Sequence, residues 1–229
     1  MTCDLEPAAP GRVFRIARPP DPWVYPDWAD AGDDGTFGNR WDDPNSSYRV
    51  LYACSQRLGA FVETLSRFRP DPDVVAGLAQ IEEEDDDPPA QPPGHLPKTW
   101  LAGRVMGEAI LEGRYADVGH SRSLSYLRQA LAARLVHYGL VDLDGATIRL
   151  SAPRRFTQET SRLVYECTGP GDRQQFGGVR YASRLGDEFE NWAIFEPGHP
   201  SDPTAAPIRG DDPDFVAAVQ RLGLTLTDE

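Results

Sequence analysis

Residues 48–68, YRVLYACSQRLGAFVETLSRF, change their hydrophobic period without a linker between the two patterns. Tyr48, Val50, Leu51 and Tyr52 carry strand propensity. Directly afterwards Leu58, Phe61, Val62, Leu65 and Phe68 fall at helical spacing, with Ser55 as the expected N-cap. A strand that runs straight into a helix fixes side chains at the strand's C-terminal end. The remaining elements do not repeat this unit. GRVFRIA (11–17) reads as a first strand, with Val13, Phe14 and Ile16 around Arg15, stopped by Pro19 and Pro20. TWLAGRVMGEAILEGRYADVG (99–119) predicts two or three strands, and SRSLSYLRQALAARLVHYGL (121–140) one helix ended by Gly139. FTQETSRLVYEC (156–167) predicts a helix capped by Thr157, GGVRYASR and NWAIFEP predict closing strands, and Asp212 caps a short final helix. Strands and helices without regular alternation give an α+β class, with mixed, largely antiparallel sheets and flanking helices.

Composition narrows the function classes. The 229 residues, 40% hydrophobic, suffice for a sizeable core. Lys and Arg number 23 against 36 Asp and Glu, a net charge of −13, and no basic tract offers a nucleic-acid footprint. Residues 69–98, with an acidic run at 82–87 and clustered prolines, read as a solvated loop. No stretch is apolar enough for a signal peptide or a membrane span. Three cysteines without a framework point away from a disulfide scaffold and toward a reducing, cytoplasmic setting. The four histidines are scattered and share no ligand spacing, so a metal is not expected. Dinucleotide-binding glycine strings and a G-x-S-x-G elbow are also missing.

The candidate site residues stand in unusual settings. GTFGNRWDDPN (35–45) puts Arg40 beside Trp41 in a glycine-marked loop. Glycines there would let backbone approach a ligand, with Arg40 as the facing cation. The alternative is a loop ion pair to Asp42 or Asp43. Arg15 interrupts an apolar strand, which suits either a site or a solvent-facing edge. Glu63 lies beside the Phe61–Val62 stripe, and its plain alternative is an i,i+4 pair with Arg67. Ser183, two residues after Tyr181 in GGVRYASR, is by itself only a strand serine.

Taken in order, the arginine of the opening strand, GNRWDDP, VLYACSQRLGAFVETL and the late GGVRYASR…NWAIFEP resemble the RES domain family, over residues 13–197. Asn39 stands where that family commonly has a second glycine. The resemblance implies NAD-consuming toxins of bacterial toxin–antitoxin pairs, with a core similar to ADP-ribosyltransferases. It implies a catalytic set of Glu63, Arg40 and Ser183, and NAD contacts from Arg15, Arg40, Trp41, Tyr52 and Ser183. The family's arginine falls on Arg15 or Arg40. It also implies a domain over 12–197 followed by a C-terminal extension at 198–229, NAD as substrate without a metal, and a cognate antitoxin as protein partner. Neither nucleic acid nor membrane is expected as a partner, and the sequence leaves homo-oligomerisation open. The acceptor stays open, with NAD degradation onto water or phosphate favoured over ADP-ribosylation of a protein side chain, and a non-catalytic binding module, in which Arg40 and Glu63 are merely structural, is the alternative of another class.

Overall fold

The computed structural model describes residues 2–78, 94–150 and 152–228. Ten strands occur among them: β1 Pro7–Ala8, β2 Arg12–Ala17, β3 Val50–Cys54, β4 His95–Pro97, β5 Val105–Ile110, β6 Tyr115–Asp117, β7 Gly178–Ala182, β8 Glu190–Phe195, β9 Ser201–Pro207 and β10 Thr225–Thr227. Eight α-helices accompany them: α1 Arg57–Leu65, α2 Pro72–Leu78, α3 Thr99–Ala102, α4 Ser121–Ala130, α5 Ala132–His137, α6 Gly145–Leu150, α7 Arg154–Glu166 and α8 Pro213–Arg221. Eight strands form one sheet in the order β1-β6-β7-β8-β3-β2-β5-β9, and β10 pairs with β4 separately. Within the large sheet only β6 and β7 run parallel. The chain is therefore α+β with a mixed, mostly antiparallel sheet.

Strand alternation divides the core. Leu51, Ala53, Trp192 and Ile194 point to one face, where Trp23 and Tyr25 of the ordered loop 18–49 cover them. On the other face, Val50, Val179, Ala193 and Phe195 pack with Leu127, Leu135, Phe156 and Val164 of the helices. Further along that face, Phe61, Val62 and Leu65 of α1 meet Phe215 and Ala218 of α8. Arg57 pairs with Asp212 and Asp214, and Asp212 caps α8. The segment after Pro197 thus supplies both the sheet strand β9, on β5, and the α8 layer.

Several local expectations are corrected. Ser55 does not cap α1; its hydroxyl donates to Glu190 at 2.7 Å and accepts from the Trp192 indole, and Gln56 occupies the cap position. Thr157 lies inside α7, with its hydroxyl on the Arg154 carbonyl. The stretch 99–102 is helical, although a strand was expected there. The expected single helix at 121–138 is two helices that meet at Leu131, whose φ of −106° and ψ of 15° are not helical; Leu127, Leu131 and Leu135 share one core cluster. The expected loop 69–98 begins with α2 and ends with β4; its acidic run lies outside the described residues. Arg15 is not at an edge, since β2 lies between β3 and β5.

The cysteines need the largest correction. Cys3 and Cys167, 164 positions apart, are disulfide-bonded and buried in the core beside α7. The chain's spacing hid this because only the folded β1 side of the sheet brings the N-terminus to the end of α7. Cys54 is a free, buried thiol that burial pushes up to about 12. No helix among the described residues is long and apolar enough to cross a membrane.

Candidate active site

The β2–β3 ladder is a single pair, Phe14 with Cys54. Beyond it, the Tyr52 carbonyl accepts from Arg15 Nη1 at 2.9 Å, and Arg15 Nε donates to the Pro22 carbonyl at 2.7 Å. A cavity of about 470 Å³ opens there, bounded by α1, by Tyr181 and Asn191 of β7 and β8, and by the loop that carries Arg40. Burial lowers the Arg15 guanidinium to about 10, so it is a cation at neutral pH.

The Arg40 loop is tied down from α7 and β3. Arg154 donates to the Gly38 carbonyl at 2.8 Å, Gln158 to the Asn39 carbonyl at 3.0 Å, and Ser161 to the Trp41 carbonyl at 2.6 Å. Asp42 accepts from the Asn39 amide and from the Tyr52 hydroxyl, both at 2.7 Å, and that hydroxyl accepts from the Trp41 amide. Gly35 and Gly38 have φ of 75° and 71°, so glycine serves the left-handed turns of the loop. The expected glycine approach to a ligand is not what they provide; Asn39 and Arg40 line the cleft and the two glycines do not.

Arg40 has no ion pair with Asp42 or Asp43. Asp42 is used as above, and Asp43 pairs with Arg162. The Arg40 guanidinium lies 5.1 Å from the Trp41 ring and 4.8 Å from the Tyr181 ring, and donates to the Ile148 carbonyl. Its pKa is lowered chiefly by burial, against the pull of Tyr181 and Glu63.

Glu63 faces the same cavity from α1. Its Oε1 accepts from Asn191 Nδ2 at 2.6 Å, and Asn191 is buried. The i,i+4 pair with Arg67 is not formed among the described ion pairs. The lining therefore brings Arg15, Arg40, Arg67, Arg154 and Arg184 together around one carboxylate, Glu63. In a chain of net charge −13, this is a concentrated positive well suited to a polyphosphate, with an acid held at its wall.

Of the expected residues, Arg15, Arg40, Tyr52 and Glu63 converge on the cavity, whereas Trp41 and Ser183 do not line it. Trp41 is fully buried, its ring 5.3 Å from that of Tyr181. Ser183 is also buried; its hydroxyl accepts from the Leu185 amide at 2.9 Å and shapes the turn that presents Arg184. Residues not singled out from sequence are Asn191, Tyr181, Arg154 and Arg184. Tyr181 and Arg184 flank Ser183 in the recognised YASR string, whereas Asn191 and Arg154 carry no local signal.

The family model of the RES domain matches residues 12–217 of the 229. The chain belongs to the RES domain family. That match spans the whole arginine-lined cleft, and it continues past β9 into α8. No curated protein matches this RES-domain chain in sequence.

Proposed function

We propose that this RES-domain protein binds NAD and breaks its nicotinamide–ribose bond. The observation that carries the reading is Glu63, fixed by Asn191, inside a cleft lined by five arginines. Guanidinium forks match the paired oxygens of a pyrophosphate, and Arg40 forms no ion pair with a carboxylate among the described residues.

As the bond breaks, its electron pair moves onto the ring nitrogen, which neutralises the pyridinium, and positive charge develops on the ribose. Glu63 stabilises that charge and orients a ribose hydroxyl or the incoming acceptor. Nicotinamide departs neutral, so no strong general acid is needed. Tyr52 and Tyr181 supply the aromatic wall that Trp41, turned into the core, does not.

Water as acceptor yields ADP-ribose; phosphate yields its 1-phosphate. Incubation with NAD, with and without phosphate, followed by identification of the products, tests the reaction and names the acceptor. Unchanged NAD in both arms, with no rise in melting temperature, removes the proposal. If turnover depletes cellular NAD, expression of the wild-type protein arrests growth, and a cognate antitoxin would act by covering this cleft.

A further inference from the structure

The cleft's positive lining continues onto the surface at Arg67. Register places a second feature beside it. Ala17 of β2 faces Val105 of β5, so the next residue on each chain, Arg18 and Arg104, stand opposite one another at the end of the ladder. Like charges directly across a ladder destabilise it. Arg104 is held below the ordinary arginine value first by burial and then by Arg18 and Arg67, which places all three guanidiniums in one field. None of the three has a carboxylate within ion-pair distance among the described residues, although acids outnumber bases 36 to 23 in the chain. Arg18 and Arg67 are exposed, and Arg104 is half-buried against Trp100 with its Nη1 on the Gly103 carbonyl. Three unpaired cations clustered in an acidic protein are stabilised when an anion joins them.

Arg67 connects this cluster to the chemistry. It follows Glu63 by four residues, about 6 Å along the helix direction, and lines the same cavity. Arg67 therefore stands both on the cavity wall that carries Glu63 and in the field of Arg104. We propose that Arg18, Arg67 and Arg104 form a phosphate-reading site at the cleft's outer rim, which takes the phosphomonoester of a 2′-phosphorylated dinucleotide, NADP. This rests on the dinucleotide reading of the cleft and adds a substrate preference to it.

The test is a calorimetric titration of wild-type protein and of R18Q/R104Q with NAD and with NADP, with R18Q alone as a second variant. Both positions lie outside the core clusters, and their change relieves repulsion, so folding is preserved and is checked by melting temperature. Wild type is expected to bind NADP at least about tenfold more tightly than NAD, as one charge-assisted phosphate contact supplies. That ratio falls toward one in the double variant and part-way in R18Q. Binding of NAD with no preference for NADP overturns this proposal alone, and so does a preference that the double variant retains. Failure of both dinucleotides to bind overturns the underlying reading together with it. Inorganic phosphate is the control for the other source of the same chemistry. If it raises the wild-type melting temperature but not the variant's, while NADP shows no advantage, the cluster takes a free anion and the NADP assignment is wrong.

Discussion

Asn191 on β8 donates from its side-chain amide to Glu63 on α1 at 2.6 Å, across 128 positions of sequence. The bond fixes a cleft carboxylate from a buried strand, so the acid's rotamer is set by the sheet rather than by its own helix. Asn191 is a positioning residue in this account. Asn191→Leu keeps the volume and removes the donor. Steady-state kinetics should show kcat reduced by roughly 10- to 100-fold, with a smaller change in KM. Asn191→Gln should restore part of the rate if the donor can still reach; equal loss in both would point to a packing role.

Arg40→Lys keeps the charge and discards the planar fork. The lysine lacks the planar group that lies over the Trp41 and Tyr181 rings, and those two contacts contribute on the order of 0.5–1 kcal/mol each. A fall in melting temperature of a few degrees is expected by calorimetry. NAD affinity should weaken by about tenfold or more. Full retention of both would mean that Arg40 acts only as a point charge.

Ser183→Ala separates two roles. Its hydroxyl accepts from the Leu185 amide inside the protein, and loss of that bond costs about 1 kcal/mol of stability by denaturant titration. Activity should fall only modestly, through looser placement of Arg184. A loss as deep as that of a Glu63 variant would show that the hydroxyl also touches substrate.

The thiols give a prediction about pH. The chain has three cysteines, with Cys3 and Cys167 bonded and Cys54 buried. Burial disfavours the thiolate and raises the Cys54 pKa to about 12, so the native thiol stays protonated and unreactive through pH 9. The sign follows: a raised pKa means the folded state keeps its proton where the unfolded thiol, near its ordinary value, loses it. Stability from this group therefore declines as pH rises above about 9. A disulfide reagent should titrate no thiol in the native protein, one in denaturant, and three after reduction. Cys3→Ser should lower stability by about 2–5 kcal/mol, given the long loop that the bond closes.

How much of this was legible follows from distance along the chain. The strand–helix run at 48–68 and the Arg40 loop announce themselves through local patterns, and β3, α1 and that loop do build three sides of the cleft. Glu63 stood out beside an apolar stripe and took its role from the RES resemblance, but its partner could not be found, since Asn191 reads as an ordinary strand residue until β8 pairs with β3. Cys3 and Cys167 are hidden for the same reason. Trp41 misled because the RES resemblance of GNRWDDP implied an NAD contact there, whereas core packing with Tyr181 claims the ring. Helix caps failed where a stronger partner competed: Ser55 is held by Glu190 and Trp192 and has no hydroxyl left for α1.

The most direct measurement of the central claim is nicotinamide release from NAD by the wild-type protein and by Glu63→Gln. The account predicts steady release by wild type and none by the variant, with the melting temperature of the variant close to wild type and NAD still bound. Equal release by both proteins, or no release by a folded wild type, would contradict it.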